Sequence, residues 1–300
     1  MKTAIIGAKG QLGTDCREIF ATNQLICADL PELDATNRQT LFAFLDSAKP
    51  ELILNCAAYT AVDRCETDKE TGWKINRDIP LHLSQWCQKN NAFLIHISTD
   101  YVLSGNKPLH QASTETEPTG PVSEYGRSKL AGDQAIQTSG LQNYAILRTA
   151  WLYSAHGNNF LKTMLKFARQ GRALNVVNDQ FGSPTWSHTL ARQMKAIAES
   201  RITGIFNATS EGYCTWYKLA CTFLEQLGQP YAITPCTTAE YPTPARRPAN
   251  SILENARLKA EGLNLFENWE TELERFIKNH GTTLIREIDA ALWGVKGLKV

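Results

Sequence analysis

Thr3-Ala4-Ile5-Ile6-Gly7-Ala8-Lys9-Gly10-Gln11-Leu12-Gly13 passes from a short apolar run into three glycines spaced G-x-x-G-x-x-G. Leu12, Cys16, Ile19 and Phe20 then recur at i, i+4, i+7 and i+8, one face of a helix. This strand–turn–helix context separates a nucleotide-binding turn from a chance cluster of glycines. Glycine allows the tight turn, lets the backbone approach a pyrophosphate, and permits close helix–strand packing. The helix N-terminus offers free N–H groups and the positive end of its dipole to phosphate. Gly7, Gly10 and Gly13 are therefore expected to hold a dinucleotide. Leu25–Ala28 reads as the second strand and ends at Asp29, 22 residues after Gly7. An acidic group there can accept from an adenosine ribose hydroxyl, although strand-end aspartates also serve simply as turn formers. A carboxylate repels a 2′-phosphate and leans towards NADH. Neighbouring basic residues can offset that, so the cofactor is read as NADPH or NADH.

Outward from this unit, apolar runs at 51–56, 93–97 and 144–147 alternate with helical patterns, the sign of a parallel sheet with crossover helices. A long helical stretch is expected over 66–89 with a kink or break at Pro80, and another helix over 125–137. The segment 104–123, rich in Gly, Pro, Ser and Thr, reads as a long loop, a feature that is usually functional inside a compact domain. Beyond residue 155 the rhythm loosens. Helices fit 160–169, 189–199 and 215–226, and short strands fit 174–177 and 205–207. Tyr241-Pro242-Thr243-Pro244-Ala245-Arg246-Arg247-Pro248 reads as a surface or site-lining loop, and the last twenty residues as a helix or a tail. The expected fold is α/β: a Rossmann-type doubly wound parallel sheet with a smaller mixed α/β substrate lobe. Residues 1–155 are assigned to the dinucleotide-binding domain, with later segments free to return to it. Residues 156–300 are assigned mainly to the substrate-binding lobe.

Bulk properties narrow the function. A net charge of +1 gives no electrostatic argument for nucleic acid or an anionic membrane. No apolar run approaches the roughly 18 residues of a membrane helix. The N-terminus does not read as a secretory signal, and the eight cysteines include no C-x-x-C pair. Reduced thiols, no metal and a cytoplasmic location are the expectations.

Tyr125-Gly126-Arg127-Ser128-Lys129 places a tyrosine and a lysine at i and i+4, on one helix face. Such pairs are common on solvated helices. This one follows a nucleotide-type turn, a strand ending in Ser98-Thr99-Asp100, and a long loop. Strand carboxyl ends are where open α/β sheets bind ligands. A nearby ammonium favours the phenolate, so the pair supplies a tuned acid for the alkoxide formed on carbonyl reduction. Thr99 can donate a hydrogen bond to the same oxygen.

These motifs make the chain resemble the extended short-chain dehydrogenase/reductase superfamily, and within it the dTDP-4-dehydrorhamnose reductase family, over nearly its whole length. Further matches are Asn55 to Asp63, Ser98 to Val102, Leu147 to Tyr153, Asn158-Asn159-Phe160, Asn178 to Thr185 and Tyr241 to Ser251; Thr99 to Val102, Asp179 to Thr185 and Tyr241 to Pro248 are the narrow ones. The resemblance implies reduction of the 4-keto group of a dTDP-linked 4-keto-6-deoxy sugar. It gives Thr99, Tyr125 and Lys129 catalytic roles, and assigns Gly10, Gln11, Leu12, Asp29, Ala57, Ala58 and Tyr59 to the cofactor. It gives Thr99, Asp100, Tyr101 and Trp151 contacts with the substrate. Trp151 also fits a lobe-interface aromatic. Asn159 either bonds the nucleotide or sugar or caps the helix that follows. Arg247 suits a diphosphate and equally a surface loop. Some members hold magnesium at a dimer contact; Asp15 stands at one such position, but His188 stands where a carboxylate belongs. A homodimer is the default for this class. Dehydratases on this scaffold carry an acid where Tyr101 stands here. Another nucleotide-sugar reductase or epimerase, or a non-catalytic NADP-binding subunit like the methionine adenosyltransferase β subunit, remains the alternative.

Overall fold

Five apolar runs of the first half form parallel strands of one sheet in the computed structural model, which describes residues 1–294. They are β1 (Lys2–Ile6), β2 (Gln24–Ala28), β3 (Leu52–Asn55), β4 (Phe93–Thr99) and β5 (Tyr144–Thr149). Gly204–Asn207 adds a sixth strand beside β5, so the spatial order is sixth, β5, β4, β3, β1, β2. Every pairing is parallel. All four residues of β3 are buried, as expected of strands covered on both faces. The strand order reverses at β1, opening a crevice at the carboxyl ends of β1 and β3 where doubly wound sheets take ligands.

Helix α1 (Gln11–Ile19) and the helix Ser187–Ser200 cover one face through Leu12, Cys16, Leu190, Met194 and Ile197. Helix α2 (Arg38–Ala48) and the helices Ile79–Asn90 and Glu124–Thr138 cover the other through Leu41, Leu45, Leu83, Trp86 and Ile136. The chain after residue 156 thus contributes both a strand and a covering helix to the sheet. A separate core of Leu161, Leu165, Phe223, Leu224, Leu273 and Phe276 unites the helices Phe160–Arg169, Trp216–Gln226 and Trp269–Trp293. Ala173–Val177 and Ala232–Cys236 pair in parallel beside them.

The stretch expected as one helix over 66–89 is divided. Asp68 caps a short helix Lys69–Trp73 by accepting from the Thr71 N–H, a π-helical turn follows at Lys74–Asp78, and a regular helix resumes at Ile79. Pro80 sits at the start of that helix, where its missing N–H costs least. The C-terminal segment is helix to Trp293, with Leu284 and Ile288 buried; residues 295–300 lie outside the described residues. Among the described residues no helix is long and apolar enough to cross a membrane. All eight cysteines are free.

Candidate active site

The glycine turn meets the requirements of a dinucleotide cradle. Gly7 has φ +81°, and a Cβ there would lie 2.6 Å from the Ala57 nitrogen at the end of β3. A Cβ on Gly13 would collide with the Gly7 carbonyl, so α1 can approach β1 only without one. No side chain caps α1 at Gly10, which leaves the helix N-terminus available to an anion. Gly7, Lys9, Gly10, Ala57 and Ala58 line a cavity of about 400 Å³, and Asp29 stands on its wall. The Asp29 carboxylate accepts from the Lys9 and Leu30 N–H groups at 2.7 and 2.8 Å, which ties the glycine turn to the end of β2. The Lys9 ammonium is paired with Glu32 at 2.6 Å. Shape and donor set therefore suit a dinucleotide.

A second cavity of about 400 Å³ shares Gly10, Cys56 and Ala58 with the first. Gln11, Leu12, Thr99, Asp100, Tyr101, Tyr125, Lys129, Trp151 and Asn159 all line it. Three different elements thus converge here: the N-terminus of α1, the end of β4, and the helix begun by Ser123, whose hydroxyl accepts from the Gly126 N–H. Tyr125 is 8% exposed and Lys129 only 1%. Burial pushes the Tyr125 phenol above its ordinary value, and the Thr99 hydroxyl pulls it back. Burial also draws the Lys129 ammonium down to about 8. That ammonium donates to the Ile97 carbonyl at 2.6 Å, one helical turn on from Tyr125. The Thr99 hydroxyl donates to Asp100 at 2.8 Å and accepts from the Tyr101 N–H at 3.2 Å. Burial raises Asp100 to about 6. The Tyr101 ring meets Tyr125 edge-on at 5.4 Å.

Trp151, at φ +48°, stacks on Trp216 with ring centroids 3.7 Å apart. Asn159 caps the helix Phe160–Arg169 through the Lys162 N–H, and its amide also donates to Gln11 at 3.1 Å. Three expected residues line neither cavity. Gly13 packs behind the turn. Tyr59 is bonded through its backbone to Asn76. Arg247 pairs with Asp63 at 2.8 Å, at a rim where Val62 lines the second cavity. That bond holds the Asp63 carboxyl below its usual range. The buried Asp15 carboxylate accepts from the hydroxyls of Ser154 and Ser187, and His188 stacks on Trp186. Among the described residues no group of three or more His, Cys, Asp or Glu is arranged to hold a metal.

The sequence reading missed Phe160, Trp216 and Leu219, which form the apolar wall opposite the tyrosine. They sit on two lobe helices far apart in the chain, and no local motif brings them together.

Comparison with known proteins identifies relatives over nearly the whole chain. A dTDP-4-dehydrorhamnose reductase of Burkholderia thailandensis is 36% identical over 277 residues, 86% of this chain and 92% of that one. The crystal structure of a dTDP-4-dehydrorhamnose reductase from Clostridium acetobutylicum superimposes with a TM-score of 0.90 at 36% identity, covering 94% of this chain and 100% of that one. The Bacillus anthracis reductase in complex with NADP gives 0.88 at 33% identity, covering 93% and 100%. The family described as the RmlD substrate binding domain matches residues 1–282, and this chain belongs to it.

Proposed function

We propose that this protein is an NAD(P)H-dependent oxidoreductase that reduces the 4-keto group of dTDP-4-dehydro-6-deoxy-L-mannose (dTDP-4-dehydrorhamnose) to give dTDP-L-rhamnose. The observation that carries the reading is the junction of two cavities, one lined by the glycine turn and Asp29, the other by Thr99, Tyr125 and Lys129. The similar reductases named above, one of them with NADP, support the same reaction.

Gly7, Gly10, Gln11, Leu12 and the α1 N-terminus would hold the pyrophosphate, Asp29 the adenosine ribose, and Ala57 and Ala58 the wall beyond it. When bound, the dinucleotide supplies the hydride for the sugar carbonyl. Tyr125 donates its proton to the sugar oxygen, and the Lys129 ammonium one helical turn on stabilises the tyrosinate left behind. Thr99 holds the same oxygen after turning its proton from Asp100. Tyr101 cannot supply the second acid a dehydratase needs. Asp100, Trp151 and Asn159 border the sugar, and Arg247 reaches the diphosphate by exchanging Asp63 for phosphate oxygens. The sheet unit of residues 1–155, with its returning segments, carries the cofactor; the remainder of 156–300 carries the sugar nucleotide. A cytoplasmic homodimer completes the proposal, the dimer being checked by light scattering.

The direct experiment mixes purified protein with the dTDP-4-keto-6-deoxy sugar and either NADPH or NADH and follows loss of reduced cofactor. Turnover with the dTDP sugar supports the assignment; retention of the cofactor through repeated turnover, with no external reductant consumed, would replace it with an epimerase.

A further inference from the structure

Below the active site, the stripe that carries Tyr125 and Lys129 continues by one more turn to Asp133. Asp133 is fully buried. Its Oδ2 accepts from the Ser98 hydroxyl at 2.6 Å, and its Oδ1 has no hydrogen-bond partner. The His96 ring sits between it and the lysine: Nε2 is 3.7 Å from Asp133 Oδ1 and 3.4 Å from Lys129 Nζ. The Asn55 amide nitrogen lies 2.9 Å from the other ring nitrogen, Nδ1. The charged and titratable groups facing this pocket are His96 from β4, Arg148 from β5 and, nearer the phenol, Asp100 and Cys65. His96 is held neutral by burial. Arg148 is buried with its Nε unpartnered, and its charge favours the Asp133 carboxylate.

A buried ammonium without a counter-charge deprotonates, because a dry interior disfavours the ion. We infer that Asp133, fixed by Ser98, is a positioning residue that keeps Lys129 protonated one helical turn from Tyr125. It touches neither cavity and acts only through the lysine. The arrangement supports this direction of effect, since the Asp133 charge raises Lys129 against the burial that lowers it. This inference rests on the reductase reading only for its catalytic consequence; the protonation of Lys129 is measurable without turnover.

The test follows the lysine directly. Protein carrying ¹³Cε-labelled lysine is titrated by NMR, with the Lys129 signal assigned by its loss in Lys129→Met. Asp133→Asn should move the Lys129 midpoint down by about one pH unit or more. Asp133→Glu should restore most of it, and Ser98→Ala should give a smaller shift in the same direction. In the reductase assay the alkaline limb of kcat should move acidward by the same amount, with KM for NADPH within about twofold. A purely structural role would lower the folded fraction without moving the limb. An unchanged Lys129 midpoint in Asp133→Asn overturns the inference; if that variant fails to fold, Ser98→Ala decides by the same criterion. Wild-type protein that titrates as expected but does not turn over the sugar would overturn the reductase reading alone.

Discussion

A phenol in so dry a site does not ionise by itself near neutral pH, so the proton that Tyr125 gives up has to be drawn by the developing alkoxide and the ammonium one helical turn on. Tyr125→Phe keeps the ring that packs on Tyr101 and removes only the proton. Turnover should fall about 10²- to 10⁴-fold, the usual range for a lost general acid, while NADPH affinity changes little. Steady-state kinetics with cofactor binding followed by fluorescence checks both halves; equal activity would remove Tyr125 from the chemistry. Asp29 poses a different residue question. Its carboxylate faces the first cavity and also holds the Lys9 and Leu30 N–H groups. Asp29→Asn preserves an acceptor and removes the charge. The ratio of kcat/KM for NADPH over NADH should then rise about tenfold, equivalent to about 1.4 kcal/mol of relieved repulsion. An unchanged ratio would take Asp29 away from the ribose.

Elements were legible in the sequence where a single period governs them. β1 to β5 and the helices Glu124–Thr138 and Phe160–Arg169 lie where the apolar patterns put them, the inner strands as continuous apolar runs buried on both faces and each helix by one buried face. The π turn at Lys74–Asp78 was not legible. Its reason is tertiary: Asn76, wholly buried, turns inward to bond both backbone groups of Tyr59 and the Ser128 hydroxyl. The wall formed by Phe160, Trp216 and Leu219 was hidden for the same reason, as were the His96 and Asp133 contacts. The helix Trp269–Trp293 carries a comparable hidden device. Glu272, in its first turn and 2% exposed, accepts from Ser210 at 2.9 Å and from the Glu267 N–H at 3.1 Å. Burial raises its carboxyl from 4.5 to about 7. A raised folded-state value means the protonated form fits best. Its contribution to stability is full below the unfolded value and is lost as pH rises through about 7. The melting temperature should therefore fall from pH 5 to pH 8. Glu272→Gln should flatten that fall, by an amount on the order of 1 to 3 kcal/mol in unfolding free energy. A profile as steep as that of the wild type would assign the dependence to other groups.

At the scale of the whole molecule, the site exists because two cores meet across it. The glycine turn belongs to the sheet and the aromatic wall to the lobe, and near the turn polar bonds join them. Asp15 takes the Ser154 and Ser187 hydroxyls, and Asn159 reaches across to Gln11. Asn159 has two separable duties, since its Oδ1 caps the Phe160 helix while its Nδ2 donates to Gln11 and to the Ser154 carbonyl. Asn159→Ala loses both duties and should cost about 1 to 2 kcal/mol, roughly that of a missing cap together with a lost hydrogen bond. Asn159→Ser can still cap but is too short to reach Gln11, so it should keep the capping share of that stability and lose only the hydrogen-bond share, about 1 kcal/mol. If that bridge aligns the lobe with the cofactor turn, the serine variant should still show higher KM values for both NADPH and the sugar nucleotide. Urea melts separate the capping loss, and two-substrate kinetics separate the bridging loss. A serine variant with wild-type KM values would mean that packing of the two cores alone sets the geometry of the cavity.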